Sequence, residues 1–271
     1  MQQEISGMQV MKIILFLILI NIACIGAAEK IISLSPALTE LVCLLGCETQ
    51  LVGRSDVCNY PESILKLPVA GRFADPYIER IISLKPTLVI ANDLINPNIF
   101  KTFEKCGIKT MMIQCRNIAE YRQCVQKLSA ALNVADAGNR ELQRIDMKLS
   151  EKRKILNMKV LWVIWDSPLM IAGKNSLPDE VIRLAGAENV AADVPQAYFK
   201  CSFDWLAEQK IDVIIWSAAP NGWKQHRFWK KLNAVKNNKI VSDLNPDLLH
   251  RPSPRIFDGV ELLRKKLEEM R

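Results

Sequence analysis

The strongest constraint on the fold of this chain is a sequence pattern that occurs twice. Residues 39–48 have the sequence TELVCLLGCE, and residues 179–188 have the similar sequence DEVIRLAGAE. A second pair follows in the same order, ERIISLKPTLVI at 79–90 and DWLAEQKIDVII at 204–215. Each member of the second pair is typical of a short helix that begins with an acid and leads into a buried strand. Two matches in the same order indicate a chain built from two duplicated units.

Short apolar segments alternate with helical segments in both halves. The apolar segments are rich in β-branched residues, which is typical of parallel strands buried on both faces of a sheet. Alternating strands and helices favour α/β units, so we predict an α/β protein with two lobes. The predicted strands are Ile31–Ser33, Leu88–Ala91, Lys109–Ile113, Val160–Ile164 and Val213–Trp216, and the clearest predicted helices are Leu38–Leu45, Ile118–Leu132 and Pro178–Ala185.

A charged helical segment lies between the two halves. Residues 136–157 contain no proline, and their apolar residues from Leu142 to Ile155 keep roughly helical spacing. One continuous helix here would be about 30 Å long. Since no flexible Gly/Ser linker is present, we predict a rigid helical connection between an N-terminal lobe at 29–135 and a C-terminal lobe at 158–271, with limited hinge motion. The alternative is an ordinary surface helix of one continuous domain.

The first 28 residues have the pattern of a secretory signal peptide. A positive charge at Lys12 precedes an apolar run from Ile13 to Ile20, and small residues continue to Ala28. This run is too short to span a bilayer comfortably. We therefore expect cleavage near Ala28 and export of the mature protein to the periplasm.

Two alternatives at the N-terminus stay open. Lipid attachment at Cys24 would give an anchored protein, but Asn21 occupies a position where a lipobox has Leu or Val. Translation could also begin at Met11 rather than Met1, because the first ten residues add nothing that a signal peptide needs.

The net charge of +7 is mildly basic and raises the question of a nucleic-acid partner. We interpret the Lys and Arg residues as scattered, without a basic motif that is interleaved with aromatic residues. The sequence therefore predicts a solvated surface and no nucleic-acid partner.

The cysteines do not predict a metal site. Seven remain beyond residue 28, an odd number, and spacing does not determine how they would pair in an oxidising compartment. Neither cysteine cluster has the CxxC pairs of a zinc ribbon, and only His226 and His250 could add imidazole ligands. We expect no metal site made by the protein, and we expect some cysteines to be plain buried residues. The two clusters are Cys43, Cys47 and Cys58, and Cys106, Cys115 and Cys124.

No catalytic motif is present. The sequence lacks a GxSxG elbow, a phosphate loop with GK[ST], an HExxH motif and a glycine-rich dinucleotide turn. Two histidines also offer few general bases near neutral pH. We therefore expect a protein that is not an enzyme and has no catalytic cofactor. An exported thiol-redox enzyme is the alternative from another class.

Six segments resemble the helical-backbone (class III) periplasmic binding proteins of ABC importers for cobalamin, haem and iron siderophores. The resemblance covers nearly the whole chain beyond residue 28, and its first three segments are specific together. It implies two Rossmann-like lobes on one long backbone helix, with the ligand in the cleft between the lobes. The segments are KIISLSPALTELVCLLG at 30–46, VGRSDVCNYP at 52–61, GRFADPYIERIISLKPTLVIA at 71–91, GAENVA at 186–191, SFDWLAEQKIDVII at 202–215 and RPSPRI at 251–256.

The resemblance also implies a function. The expected ligand is cobalamin or a related corrinoid, delivered to a dimeric ABC permease of the inner membrane that works with ATPase subunits. Haem or a ferric siderophore is the alternative ligand, and a sensor that uses the fold without transport is a further alternative. We expect the protein to act as a monomer.

Aromatic residues in loops are the first candidates for ligand contact. Tyr60 and Phe73 follow strand-like segments in the first half, and Trp165 and Trp223 do so in the second. Ligands of open α/β sheets bind outside the carboxyl ends of the strands, and rigid aromatic walls suit a flat macrocycle. In the resembled family, aromatic residues in these stretches line the cleft. The alternative is that each is a core or rim aromatic.

The segment around residue 251 is the second candidate. The family brings it back to the cleft, where Arg251 could donate hydrogen bonds to a propionamide, a carboxylate or a phosphate. If the ligand were haem, His250 could bind the iron, with Tyr60 as the opposite ligand. A histidine in a loop is more often simply solvated.

Glu79 and Asp204 occupy equivalent positions in the two repeats, each at the start of a predicted helix. An acid at a helix N-terminus interacts favourably with the helix dipole by about 0.3–1 kcal/mol, which is a sufficient structural reason for both. The resemblance implies a second role, because in that family one acid on each lobe docks against arginines of the dimeric permease. The family usually has Glu at the second position, so Asp204 has a shorter reach.

Overall fold

The computed structural model describes residues 29–224 and 226–271. The predicted signal peptide at 1–28, with Cys24, lies outside the described residues. Within the described part, no helix combines the length and the apolar character that crossing a membrane requires.

The first lobe is built on a six-stranded sheet with the strand order β4-β3-β2-β1-β5-β6. All neighbouring strands pair in parallel except β3 and β4, which pair antiparallel. Parallel pairing needs crossover connections, and helices provide several of them. The elements are β1 (Ile31–Ser33), α1 (Pro36–Leu44), β2 (Leu51–Ser55), β3 (Val69–Arg72), β4 (Asp75–Pro76), α2 (Ile78–Ser83), β5 (Leu88–Ala91), α3 (Pro97–Lys105), β6 (Lys109–Met112) and α4 (Ile118–Ala131).

The second lobe has a sheet with the strand order β10-β8-β7-β11-β12, and β9 pairs with the start of β7. Its antiparallel hairpin, β7 and β8, lies in the middle of the sheet, whereas the antiparallel pair of the first lobe, β3 and β4, lies at the sheet edge. The elements are β7 (Lys159–Asp166), β8 (Leu169–Ala172), α6 (Leu177–Leu184), β9 (Glu188–Asn189), β10 (Tyr198–Lys200), α7 (Phe203–Ala207), β11 (Val213–Trp216), α8 (Asn233–Lys236), β12 (Ile240–Val241), α9 (Pro246–Leu249) and α10 (Ile256–Glu269).

The duplicated sequence pattern corresponds to duplicated structure. The first pair of matching segments lies in α1 and α6 and the turns that follow these helices, and the second pair forms α2-β5 and α7-β11. Gly46 and Gly186 occupy matching positions after α1 and α6, with φ angles of 81° and 88°. A helix that ends in this left-handed conformation favours glycine there, which explains why both repeats have it.

The helix that connects the lobes, α5, spans Ala135–Ser150 and is shorter than the predicted range of 136–157. Its length is about 24 Å at the usual rise per residue. From Glu151 to Met158 the chain forms neither helix nor strand, and Asn157 has a positive φ angle of 53° shortly before β7 begins at Lys159. Ile155 in this segment is 68% exposed, whereas Leu156 and Met158 are buried.

The two lobes share one hydrophobic core. It runs from Ile31 in the first lobe, past Ile145 of α5, to Trp162 and Phe257 in the second lobe. The outer face of each sheet packs a smaller cluster of its own. A continuous apolar interface of this kind opposes independent motion of the two lobes. It supports the limited hinge motion expected from the sequence.

Candidate functional site

A cavity with a volume of about 380 Å³ lies between the lobes, and we call it the interlobe cavity. On the first lobe its walls are loops that follow the carboxyl ends of parallel strands, where ligands of open α/β sheets bind. On the second lobe its walls come from α9 and the segment that follows it. The lining residues are Ser35, Pro36, Ala37, Val57, Phe73, Asn92, Leu94 and Cys115 of the first lobe, and Pro246, Asp247, His250, Arg251 and Pro252 of the second.

A smaller hollow of about 130 Å³ extends the cavity into the second lobe. It lies at the carboxyl ends of β11 and β12, beside Ser217 and Ser242, and shares Pro246 and His250 with the interlobe cavity. The second lobe therefore also presents the carboxyl ends of its strands to the space between the lobes.

His250 lies where the interlobe cavity and the smaller hollow of the second lobe meet. Its Nε2 atom lies 2.9 Å from Ser217 Oγ, which also accepts a hydrogen bond of 2.9 Å from Trp162 Nε1. The imidazole packs edge-to-face on Trp162 at 5.5 Å. Burial lowers the pKa of His250, and the nearby Asp247 carboxylate only partly opposes this effect. The ring is therefore neutral at neutral pH.

Arg251 links the two lobes instead of projecting freely into the cavity. It donates a hydrogen bond of 2.8 Å to Asn59 Oδ1 of the first lobe and forms an ion pair of 2.6 Å with Asp247. Asn59 Nδ2 donates in turn to Asp247 Oδ2 at 2.7 Å. This closed network orients Arg251 along one wall of the cavity.

Glu40 and Glu180, which occupy matching positions of the repeat, each bind the opposite lobe. The two oxygens of Glu40 accept hydrogen bonds of 2.9 and 2.7 Å from the guanidinium of Arg255. Glu180 Oε2 accepts a hydrogen bond of 2.8 Å from the backbone N–H of Ile118 at the start of α4. Each of these two equivalent carboxylates therefore forms a hydrogen-bonded contact between the lobes.

Tyr60 packs against the interlobe contact made by Arg255, and it is not among the described residues that line the interlobe cavity. Its ring lies 3.7 Å from the Arg255 guanidinium, in a separate hollow bordered by α1. The carboxylate of Glu40 raises the pKa of Arg255, so the cation over the ring is permanent. The predicted ligand contact and haem-iron role of Tyr60 would need the ring to leave this position.

The other predicted aromatic residues are divided between the cavity and its surroundings. Phe73 lines the interlobe cavity and is 54% exposed, so its ring is available to a ligand. Trp165 is 57% exposed at the end of β7, where its Nε1 donates to the carbonyl of Ser167. Trp223 packs edge-to-face on Trp216 at 5.4 Å. Neither tryptophan is among the described residues that line the cavity.

Glu79 and Asp204 lie in the first turns of α2 and α7, and both are exposed. Across residues 29–224 and 226–271, neither carboxylate forms an ion pair. Both acids are thus available to a partner, and their docking role stays a prediction.

The cavity also includes residues that the sequence analysis did not select. Asn92 and Leu94 directly follow β5, and Cys115 follows β6 and donates to the carbonyl of Pro252 at 3.2 Å. The rule that ligands bind at the carboxyl ends of strands would have identified all three. Pro246 had no comparable sequence signal, because it begins a helix of only four residues.

The described cysteines are all unpaired. Cys58 is fully buried among the hydroxyl groups of Thr39 and Ser55, as expected for a structural thiol. Burial raises the pKa of the Cys43 thiol to about 12. The part of the chain that the structure describes contains no cluster of side chains suited to a metal ion.

Proteins with similar sequences include substrate-binding proteins. The chain is 28% identical over 241 residues to the vitamin B12-binding protein of Vibrio cholerae, covering 86% of this chain and 87% of that protein. It is 24% identical to the uncharacterized ABC transporter substrate-binding lipoprotein YvrC of Bacillus subtilis, covering 88% of this chain and 80% of that one.

Solved structures show the same architecture. The periplasmic vitamin B12 binding protein BtuF of Vibrio cholerae matches with a TM-score of 0.71 and 26% identity, covering 90% of this chain and 98% of that one. The periplasmic haem-binding protein BhuT, in complex with two haems, matches in fold with a TM-score of 0.78 and 24% identity, covering 90% and 99%. The sequence profile of the periplasmic binding proteins matches residues 31–245. This chain therefore belongs to the periplasmic binding protein family, whose members are substrate-binding transport proteins.

Proposed function

We propose that this protein is the exported substrate-binding component of an ABC importer and that it holds a corrinoid, with cobalamin as the first candidate, between its lobes. The observation that carries the proposal is the interlobe cavity, which is lined from both lobes and lies at the carboxyl ends of the strands. The relative from Vibrio cholerae named vitamin B12-binding protein supports the choice of ligand.

The chemistry of the walls suits a flat amphipathic ligand. Pro36, Phe73, Leu94 and Pro246 provide apolar surface, and burial of such surface contributes about 25 cal/mol per Å². Asn92 and other polar groups at the rim offer hydrogen bonds to peripheral amides. A volume of about 380 Å³ is near the lower end of ligand pockets, so a corrinoid would fill the cavity and extend beyond its mouth.

Calorimetric titration of the purified protein with cobalamin, cobinamide and haemin tests the ligand. We expect one cobalamin per chain with a Kd below about 1 μM, corresponding to about 8 kcal/mol. Cobinamide, which lacks the nucleotide loop, separates contacts to the macrocycle from contacts to the loop. Failure of all three to bind would remove the proposed ligand class.

Haem is the second candidate, because neutral His250 faces the cavity with a nitrogen that could bind iron. Its Nε2 atom is engaged with Ser217, so iron binding there would have to displace that contact. If haem is the ligand, the absorption spectrum of the haemin complex should change in His250→Ala. An unchanged spectrum would exclude His250 as the iron ligand.

We propose that Glu79 and Asp204 dock the two lobes on a dimeric permease. The support is their equivalent placement, their exposure and their freedom from ion pairs within the described residues. In detergent-solubilised permease, Glu79→Lys with Asp204→Lys should weaken binding at least tenfold, because two attractive charges become repulsive. Glu62→Lys with Glu269→Lys is the matched control, since both are exposed acids, one on each lobe. Equal binding of the two double variants would refute the docking role.

A further inference from the structure

The connections between equivalent strands of the two lobes differ sharply in charge. The segment from β5 to β6, residues 92–108, contains two acids and two lysines and is neutral. Its counterpart from β11 to β12, residues 217–239, contains six basic residues and no acid. This concentration contradicts the scattered distribution of cations that we expected from the sequence. We call the six residues the basic patch: Lys224, Arg227, Lys230, Lys231, Lys236 and Lys239.

Across residues 29–224 and 226–271, the basic patch has no ion-pair partner. Five of its members are exposed, and Lys239 is partly exposed. None of the six forms an ion pair within the described chain, although lysines elsewhere do, such as Lys148 with Glu151 at 2.7 Å. The like charges of the basic patch repel one another, so binding to an external anionic surface would lower their electrostatic energy.

Part of the basic patch borders a shallow groove of about 340 Å³. Lys231 and Lys239 line it together with Lys210. The groove also contains Asp212, whose carboxylate accepts a hydrogen bond of 2.8 Å from the backbone N–H of Lys159. Three lysines around a polar groove fit a phosphate group, which lysine binds as a compact point charge.

Aromatic side chains are packed among the cations. Phe203 stacks on His226 at 4.3 Å and contacts Phe228 at 4.7 Å, while Lys224 lies 5.8 Å from the ring centre of Trp223. Aromatic residues beside basic ones are typical of surfaces that rest in the headgroup region of a bilayer. Phe203 directly precedes Asp204 and stacks on His226, so the part of the basic patch around Arg227 adjoins the proposed docking acid of the second lobe.

We propose that the basic patch rests on anionic phospholipid headgroups of the membrane that contains the permease. The orientation rests on the proposed function, because docking through Asp204 brings the adjoining patch towards that membrane. The contact is one-sided, since the equivalent connection of the first lobe is neutral. It concentrates the carrier at the membrane without any covalent anchor.

Sedimentation with phospholipid vesicles tests the proposal in the absence of permease and ligand. Secreted protein is mixed with vesicles of phosphatidylglycerol and phosphatidylcholine in equal parts, or of phosphatidylcholine alone, at about 0.1 M salt. Each basic residue near an anionic membrane strengthens binding roughly fivefold. Arg227→Gln with Lys230→Gln and Lys231→Gln should therefore lower partitioning to the anionic vesicles about 100-fold.

The matched control removes the same charge from the first lobe through Lys101→Gln, Lys105→Gln and Lys127→Gln, all at exposed positions. We expect it to partition like the parent protein, and we expect about 1 M salt to abolish the binding of both. Equal losses in the two triple variants would overturn the proposal, because net charge rather than the basic patch would then control binding. Equal binding to neutral vesicles would overturn it as well.

The same variants also test two other classes of partner, a protein surface and a nucleic acid. If vesicle partitioning is unaffected but binding to detergent-solubilised permease or to single-stranded DNA falls, the patch recognises protein or nucleic acid and the membrane proposal is wrong. The docking role of Asp204 is separable, because Asp204→Lys should weaken permease binding in detergent without weakening vesicle partitioning. Either proposal can therefore fail alone.

Discussion

The ion pair between Glu40 and Arg255 provides a sharp test of how the lobes are held together. Glu40 lies in α1 of the first lobe with only 1% of its side chain exposed, and Arg255 lies just before α10 of the second. The substitution Glu40→Gln removes the charge while nearly preserving the volume. Arg255 is left with the face of Tyr60 and the uncharged amide oxygen as its nearest partners.

The expected loss of stability follows from this geometry. Removing one partner of a buried ion pair costs about 3–5 kcal/mol, because the remaining charge is uncompensated. The side chain of Arg255 is 17% exposed and can reach some water. The lower end of that range applies, so Glu40→Gln should lower the free energy of unfolding by about 3 kcal/mol.

Urea unfolding followed by circular dichroism measures this loss. Glu48→Gln is the control, since Glu48 lies in the turn after α1, is only partly buried and forms no ion pair in the described chain. In the double variant of Glu40→Gln with Arg255→Met, the second substitution should recover much of the loss, because it removes the uncompensated guanidinium. If Glu40→Gln is no less stable than Glu48→Gln, the Glu40–Arg255 contact does not hold the lobes together.

Three further predictions concern single sites. Burial raises the pKa of the Glu180 carboxyl, so the contribution of this group to stability falls as the pH rises through that pKa. The change in the free energy of unfolding that Glu180→Gln causes should therefore be more stabilising at about pH 7 than at about pH 4. An equal change at both pH values would contradict this prediction. In α5, a Cβ atom at Gly138 would clash with the side chain of Ser129, so Gly138→Ala should destabilise by about 1–3 kcal/mol in urea despite its better helix propensity, and unchanged stability would refute the close packing. Iodoacetamide at about pH 8 should label exposed Cys106 well before Cys43, whose pKa is about 12, as mass spectrometry would show; equal rates would contradict the burial of Cys43.

Much of the fold could be predicted from the sequence because its strands are buried on both faces. Ile31–Ser33, Leu88–Ala91 and Val213–Trp216 were predicted with the bounds that the structure has. A short apolar run that turns bound fits either a buried strand or a buried helix segment, and here its shortness and its β-branched residues favour a strand. The connecting helix was predicted too long, because Ile155 fits a helical period although the helix ends at Ser150 and Ile155 is 68% exposed.

The site was less predictable, because contacts between the lobes decide it. Phe73 and Arg251 line the interlobe cavity while their contact with a ligand stays a prediction, and the sequence contained no indication that Tyr60 packs against Arg255. That contact joins residues distant in the chain and depends on how the lobes are oriented. The basic patch was missed for another reason. Its concentration of positive charge becomes evident only when residues 217–239 are compared with the neutral equivalent segment of the first lobe, residues 92–108.

The central claim is that one ligand is bound by both lobes, and cobalamin affinity in wall variants tests it most directly. Phe73→Ala removes a wall of the first lobe and His250→Ala a wall of the second, while Tyr77→Ala removes an exposed aromatic residue outside the described lining. Burial of one large side chain contributes about 1.5–3 kcal/mol, so Phe73→Ala should raise the calorimetric Kd by about 10–150-fold. His250→Ala should also raise it, and Tyr77→Ala should leave it unchanged. Binding of cobalamin with the same Kd in all three variants would contradict a ligand held between the lobes.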